Sequence, residues 1–171
     1  MKATYFYQHD PGLTMFKTLL VAVDGSEISH RALEEALAVA RAMQASVHAV
    51  HVVQTGVFPT MILDSLEPPD VAQQAILDSL EREADEILAD TERRAAAAGI
   101  RITPHKRWGH PGAEITALAQ ELGADLTVVG SHGRGRLDRL FLGSVSSYVV
   151  DHAPSTVMVV RAGPTARDRE R

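Results

Sequence analysis

The chain alternates short β-branched runs with longer stretches whose apolar residues recur every three or four positions. Thr18 to Val23 (TLLVAV) and Ser46 to Val53 (SVHAVHVV) read as buried strands. Between them, Ser29 to Met43 carries Ala32, Leu33, Ala36, Leu37 and Ala40 at helical spacing, with Glu34, Glu35 and Arg41 on the wet side. Gln54 to Pro69 holds Gly56, Pro59, Pro68 and Pro69 and reads as a long loop, a length that often accompanies function. Asp70 is then the expected cap of a helix that runs to about Ala98 and stops at Gly99. Its run of Glu81, Arg82, Glu83, Asp85, Glu86, Glu92, Arg93 and Arg94 reads as a solvated face.

Ile100 to Arg107 is a third strand, and Pro104 within it suits a sheet edge, where a missing N–H is tolerated. Pro111 to Leu122 presents Ile115, Leu118, Ala119 and Leu122 on one helical face, and Gly123 ends it. Leu126 to Gly130 is strand four, Ser144 to His152 a helix with Ser144 as its expected N-cap, and Thr156 to Val160 strand five. This alternation predicts one α/β domain, a doubly wound parallel sheet of five strands with helices on both faces. In such sheets ligands bind beyond the carboxyl ends of the strands, where the strand order reverses.

Composition narrows the classes. The 171 residues suffice for one domain with a sizeable core, and no apolar run is long enough to span a membrane. The N-terminus lacks a basic stretch followed by an apolar one, so no secretory signal is expected and a cytoplasmic location is. The absence of cysteine removes disulfide and thiolate chemistry. A formal net charge of −5 argues against general nucleic-acid binding, which needs a basic surface.

The candidate chemistry lies at two strand ends. Strand one runs into Asp24-Gly25-Ser26, and strand four into Gly130-Ser131-His132-Gly133, followed after nine residues by Gly143-Ser144. Glycines let a backbone approach phosphate oxygens, Ser131 and Ser144 add hydroxyls, and the next helix offers unpaired N–H groups. In the strand order 3-2-1-4-5 the two tips are neighbours, and Asp24 can accept from a sugar or base while Ser144 sits where phosphate is favoured. A glycine pair also shapes a plain tight turn, Asp24 also suits a turn or cap, and a capping role is compatible with ligand contact.

The spacing Gly130-x-x-Gly133-(nine residues)-Gly143-Ser144, with LLVAVDGSE near the start, HVV ending strand two and APSTVMVVR near the end, resembles the universal stress protein family. The resemblance extends from Met15 to Arg161, and the glycine spacing is similar to that of its ATP-binding subgroup. It implies a Rossmann-like domain of order 3-2-1-4-5, a homodimer through the last strand, and ATP held with Mg2+ or Mn2+ through the phosphates. By residue match, Asp24 and the Val52 backbone contact the adenosine part, while Gly130, Gly133, Gly143, Ser144 and Val145 line the ribose and phosphates. His132 and Arg134 lie within the loop, and their phosphate contacts are inferred from charge; Arg136 and Arg139 are left unassigned.

Other chemistries are poorly served. The chain has no G-x-x-x-x-G-K-[ST], and its only lysines are Lys2, Lys17 and Lys106, so no P-loop lysine reaches a phosphate. Gly133-Arg-Gly135 begins a dinucleotide motif, but Asp138 replaces its third glycine. Kinase and nucleophile-elbow signatures are absent. His48 and His51, read as sharing one strand face, suggest a metal pair without a third ligand, and His105 and His110 supply none, so packed histidines are preferred. Only Asp24 and Glu27 offer acidic groups near the loop, so slow hydrolysis is the most that phosphoryl chemistry would achieve. Three readings therefore stand: an ATP-binding stress-response or regulatory module acting on an unidentified protein partner, a slow ATPase using the same pocket, and a nucleotide-free interaction protein. Residues 1–14, with Tyr5-Phe6-Tyr7, form an extension before the domain at 15–161, and 162–171 are expected to be a mobile tail.

Overall fold

The computed structural model describes residues 16–54, 71–133 and 142–161. In chain order these form β1 (Thr18–Ala22), α1 (Glu27–Met43), β2 (Ser46–Gln54), α2 (Val71–Ala97), β3 (Ile102–Gly109), α3 (Pro111–Leu122), β4 (Leu126–Gly130), α4 (Ser144–His152) and β5 (Thr156–Val160). All neighbouring strands are parallel, in the order β3-β2-β1-β4-β5, so the crevice predicted between β1 and β4 lies where the winding reverses. Asp70 and nearly all of the Gln54 to Pro69 segment, Arg134, the N-terminal extension and the C-terminal tail fall outside the described residues.

Strand alternation divides the core into two layers. Leu19 and Val21 of β1, Val47 and Ala49 of β2, and Leu126 and Val128 of β4 face α1 and α2, meeting Leu33, Ala36, Leu37, Ile87 and Leu88. Leu20, Val50 and Val129 face the opposite way, against Ile115, Leu118 and Ala119 of α3 and Val149 of α4. At the base of the sheet the Asp125 carboxylate accepts from the backbone N–H groups of Lys17 (2.8 Å) and Thr18 (3.0 Å), which join the start of β4 to that of β1. These two bonds hold its proton affinity below the usual carboxylate range.

Several local features differ from the sequence expectation. Helix α1 begins at Glu27, two residues before the apolar repeat, because Ser26 caps it by accepting from the Ser29 N–H at 3.2 Å. Pro104 does lie on an edge strand, opposite Ala49. The charged face of α2 is only partly solvated: Glu81 and Asp85 take the Lys106 ammonium of β3 at 3.0 and 2.8 Å, which ties the long helix to the sheet edge. Ser144 is not the N-cap of α4. Gly143 holds that position, extended at φ −68° and ψ 163°, because its N–H is fixed by the Ser131 carbonyl at 2.7 Å; Ser144 is the first helical residue.

Candidate functional site

Above the carboxyl ends of the strands lies a cleft of about 440 Å³, a size suited to a small molecule. Its lining includes Asp24 from the tip of β1, Val52 and Gln54 from the end of β2, Gly130, His132 and Gly133 beyond β4, and Gly143, Ser144 and Val145 at the start of α4. Pro111 and Ile115 of α3 complete an apolar side.

Each polar element is held by a local device. Gly25 takes φ +74°, a left-handed conformation that turns the chain sharply after β1. Asp24 Oδ1 then accepts from Ser26 N–H at 3.0 Å and from Ser26 Oγ–H at 2.5 Å, so the residue capping α1 also fixes the carboxylate. Its other oxygen lies against the glycine loop, only 2.8 Å from where a Cβ on Gly133 would stand. The tips of β1 and β4 are thus packed against one another. A side chain at Gly133 meets Asp24 before it could fill any phosphate space.

The loop after β4 is fastened from beneath. Ser131 is buried; its N–H donates to the Val160 carbonyl at 2.8 Å, and its own carbonyl accepts from Gly143 N–H and from Ser146 Oγ at 3.0 Å. The Ser131 hydroxyl pairs with His132 Nδ1 at 3.0 Å, and Ser131 is not among the residues lining the cleft. Ser146 escaped the sequence reading, since its position two residues into a helix gave no hint that its hydroxyl bridges the Ser131 and Gly143 carbonyls. Gly143 has no side chain with which to cap α4, and among the described residues none caps it from elsewhere, so the first turn of the helix borders the cleft where its dipole favours an anion.

The end of β2 supplies the other wall. Val23 N–H donates to the Val50 carbonyl at 2.9 Å, one step beyond the last ladder pair, Ala22 with Val50. Successive residues of a parallel strand direct their peptide groups to opposite sides, so the Val52 peptide points the same way as that of Val50, past the end of β1. Ser29, Gln54, Pro111 and Ile115 also line the cleft and were missed, Ile115 because its spacing marked it only as core.

The histidines separate. Three residues apart on a strand means opposite faces, which corrects the shared-face reading of His48 and His51. His51 Nδ1 donates to the Val23 carbonyl at 2.8 Å. His48 Nδ1 lies 2.9 Å from His105 Nε2 on β3, with the two rings stacked. Among the described residues no group of three or more His, Cys, Asp or Glu side chains is placed to hold a metal, and no helix is long and apolar enough to cross a membrane. Glu27 is exposed, pairs with Arg31 at 3.3 Å, and does not line the cleft.

Comparison with known proteins gives a consistent result. Residues 15–161 match the model of the universal stress protein family. The universal stress protein YxiE of Bacillus subtilis is 34% identical over 148 residues, covering 86% of this chain and all of that one. Among solved structures, the universal stress protein UspA from Lactobacillus plantarum superposes with a TM-score of 0.71 at 29% identity, covering 85% of this chain and 97% of that one. A universal stress protein solved in complex with cAMP superposes at 0.65 with 28% identity, covering 86% and 98%.

Proposed function

We propose, from the premise that the chain belongs to the universal stress protein family, that its cleft binds ATP and that nucleotide occupancy is its working signal. The observation that carries this reading is the convergence of Asp24, the Gly130–Gly133 turn and the side-chain-uncapped N-terminus of α4 on one cleft, with the Val52 backbone across from them. The helix terminus and glycine turn suit phosphates, the apolar side formed by Val50, Val52, Pro111 and Ile115 suits a base, and Asp24 suits a sugar hydroxyl. The relative bound to cAMP supports a nucleotide over other anions. Arg134, outside the described residues, would add charge from the same loop.

A divalent cation fits only as a companion of the triphosphate. Asp24 is the single acidic residue among the described residues of the lining, so Mg2+ or Mn2+ would be held chiefly by phosphate oxygens and water. That donor set also favours holding ATP over consuming it, because the lining contains no lysine among the described residues and Glu27 is engaged elsewhere. The second copy of a homodimer is expected along β5, an edge strand whose Val157 to Val160 are only half-buried within one chain. Titration calorimetry with ATP and Mg2+, beside the mass of any small molecule carried through purification, tests the reading. Heat of binding lost in Asp24→Ala is the expected result. No heat and no carried nucleotide would overturn it, and phosphate release well above background that vanishes in Asp24→Ala would replace a binding role with an enzymatic one.

A further inference from the structure

The His51 ring sits beside the nucleotide cleft without lining it, yet it holds an atom on which the cleft depends. Were the β1–β2 ladder to continue one step, the Val23 carbonyl would accept from the Val52 N–H. Instead that carbonyl accepts from His51 Nδ1 at 2.8 Å, while Val23 N–H still donates to Val50. A carbonyl only accepts, so the bond requires the tautomer with hydrogen on Nδ1. The ring therefore stands in for a backbone donor at the point where the two strands part. Val23 precedes Asp24, so the same bond steadies the peptide from which the cleft carboxylate is hung.

We infer that His51 is a positioning residue of the cleft: by occupying the Val23 carbonyl it keeps the Val52 backbone N–H unspent and directed at the ligand's base. Val50 and Val52 share the cleft-facing side of β2 and His51 lies between them on the other side, so His51 acts through the backbone rather than by touching the ligand. An N–H left for a ligand discriminates between bases, because a purine that lacks an acceptor at that point leaves the donor unpaired. The inference rests on the nucleotide reading for its consequence, and on the local geometry alone for its mechanism.

Two measurements test these parts separately. Amide hydrogen exchange of the nucleotide-free protein reads the mechanism: the Val52 amide is expected to exchange much faster than that of Val50, and to become protected in His51→Leu as it closes on the Val23 carbonyl. Equal protection of Val52 in both proteins would overturn the inference whatever the ligand. Calorimetry with ATP, GTP and inorganic tripolyphosphate, each with Mg2+, reads the consequence. His51→Leu is expected to lose about five- to tenfold in ATP affinity and most of its preference over GTP, with tripolyphosphate unchanged. His51→Asn, whose side-chain amide can donate from nearly the same place as Nδ1, should restore the preference. Equal losses for all three ligands, or identical behaviour of the Leu and Asn variants, would reduce His51 to a packing residue. If the wild-type protein binds tripolyphosphate but shows no preference for ATP, this inference fails and the anion site survives; if it binds none of the three, the nucleotide reading fails with it.

Discussion

Replacing Gly133 with alanine tests whether the tips of β1 and β4 are held against each other as tightly as their geometry says. The new Cβ would stand 2.8 Å from Asp24 Oδ2, well inside normal contact. The carboxylate cannot swing aside freely, because its other oxygen is held by Ser26 N–H and Ser26 Oγ–H at 3.0 and 2.5 Å. Relief therefore requires either breaking those bonds, each contributing about 1 kcal/mol, or shifting the loop, and the cost is about 1–3 kcal/mol. Urea unfolding of Gly133→Ala, Asp24→Ala and the double variant measures it as a double-mutant cycle. The glycine substitution should cost that amount in the wild-type background and less than about 0.5 kcal/mol once Asp24 is truncated. ATP affinity should fall at least about tenfold in Gly133→Ala, since a displacement worth about 1.4 kcal/mol at the carboxylate is felt by the ligand. An undiminished penalty in the Asp24→Ala background would refute the contact, and an unaltered affinity would detach Asp24 and Gly133 from the binding site.

The remaining expectations concern the scaffold. A Cβ on Gly112 would lie 2.7 Å from Tyr148 Cγ and 2.9 Å from its Cβ, so Gly112→Ala should wedge α3 from α4 and lower stability by about 1–3 kcal/mol in urea unfolding, a loss that persists in part when Tyr148 is also truncated to alanine. Burial lowers the proton affinity of His48 and His105, and the neighbouring His48 and Arg107 charges lower that of His105 further, against Glu121. The unfolded chain takes up these protons near the ordinary value of 6.5 while the folded chain resists them. Their contribution to stability is thus complete above that pH and is lost as pH falls through the depressed folded values, by at most about 1.4 kcal/mol per pH unit for each proton. Urea midpoints followed against pH should flatten in His105→Gln relative to the wild type; parallel curves would exclude the pair. Asp125→Ala should cost about 1–2 kcal/mol at neutral pH by leaving the Lys17 and Thr18 N–H groups without their acceptor. Because the Asp125 carboxyl is held below its unfolded value, that difference should shrink on acidification, which a pH series of thermal unfolding can follow.

The order of elements and their burial were legible along the chain because both periodicities are local. The apolar runs of β1 and β2 mark strands buried on both faces, and the three-to-four spacing of Ala32 to Ala40 states which side of α1 faces inward whatever it meets there. The spacing of Gly130, Gly133 and Gly143 pointed likewise to the loop after β4, and Asp24 to the tip of β1, and those residues do line one cleft. What only the tertiary structure decided depends on which groups distant segments bring into reach. The N-cap of α4 fell on Gly143 rather than Ser144 because the Ser131 carbonyl captures the Gly143 N–H. Strand alternation alone puts His48 and His51 on opposite faces, but their partners, His105 on β3 and the Val23 carbonyl just past β1, are ones that no count along β2 could supply. Whether a glycine serves a ligand or its own neighbour is of the same kind: Gly133 makes room for Asp24, across a parallel crossover, in a contact created by strand order and register.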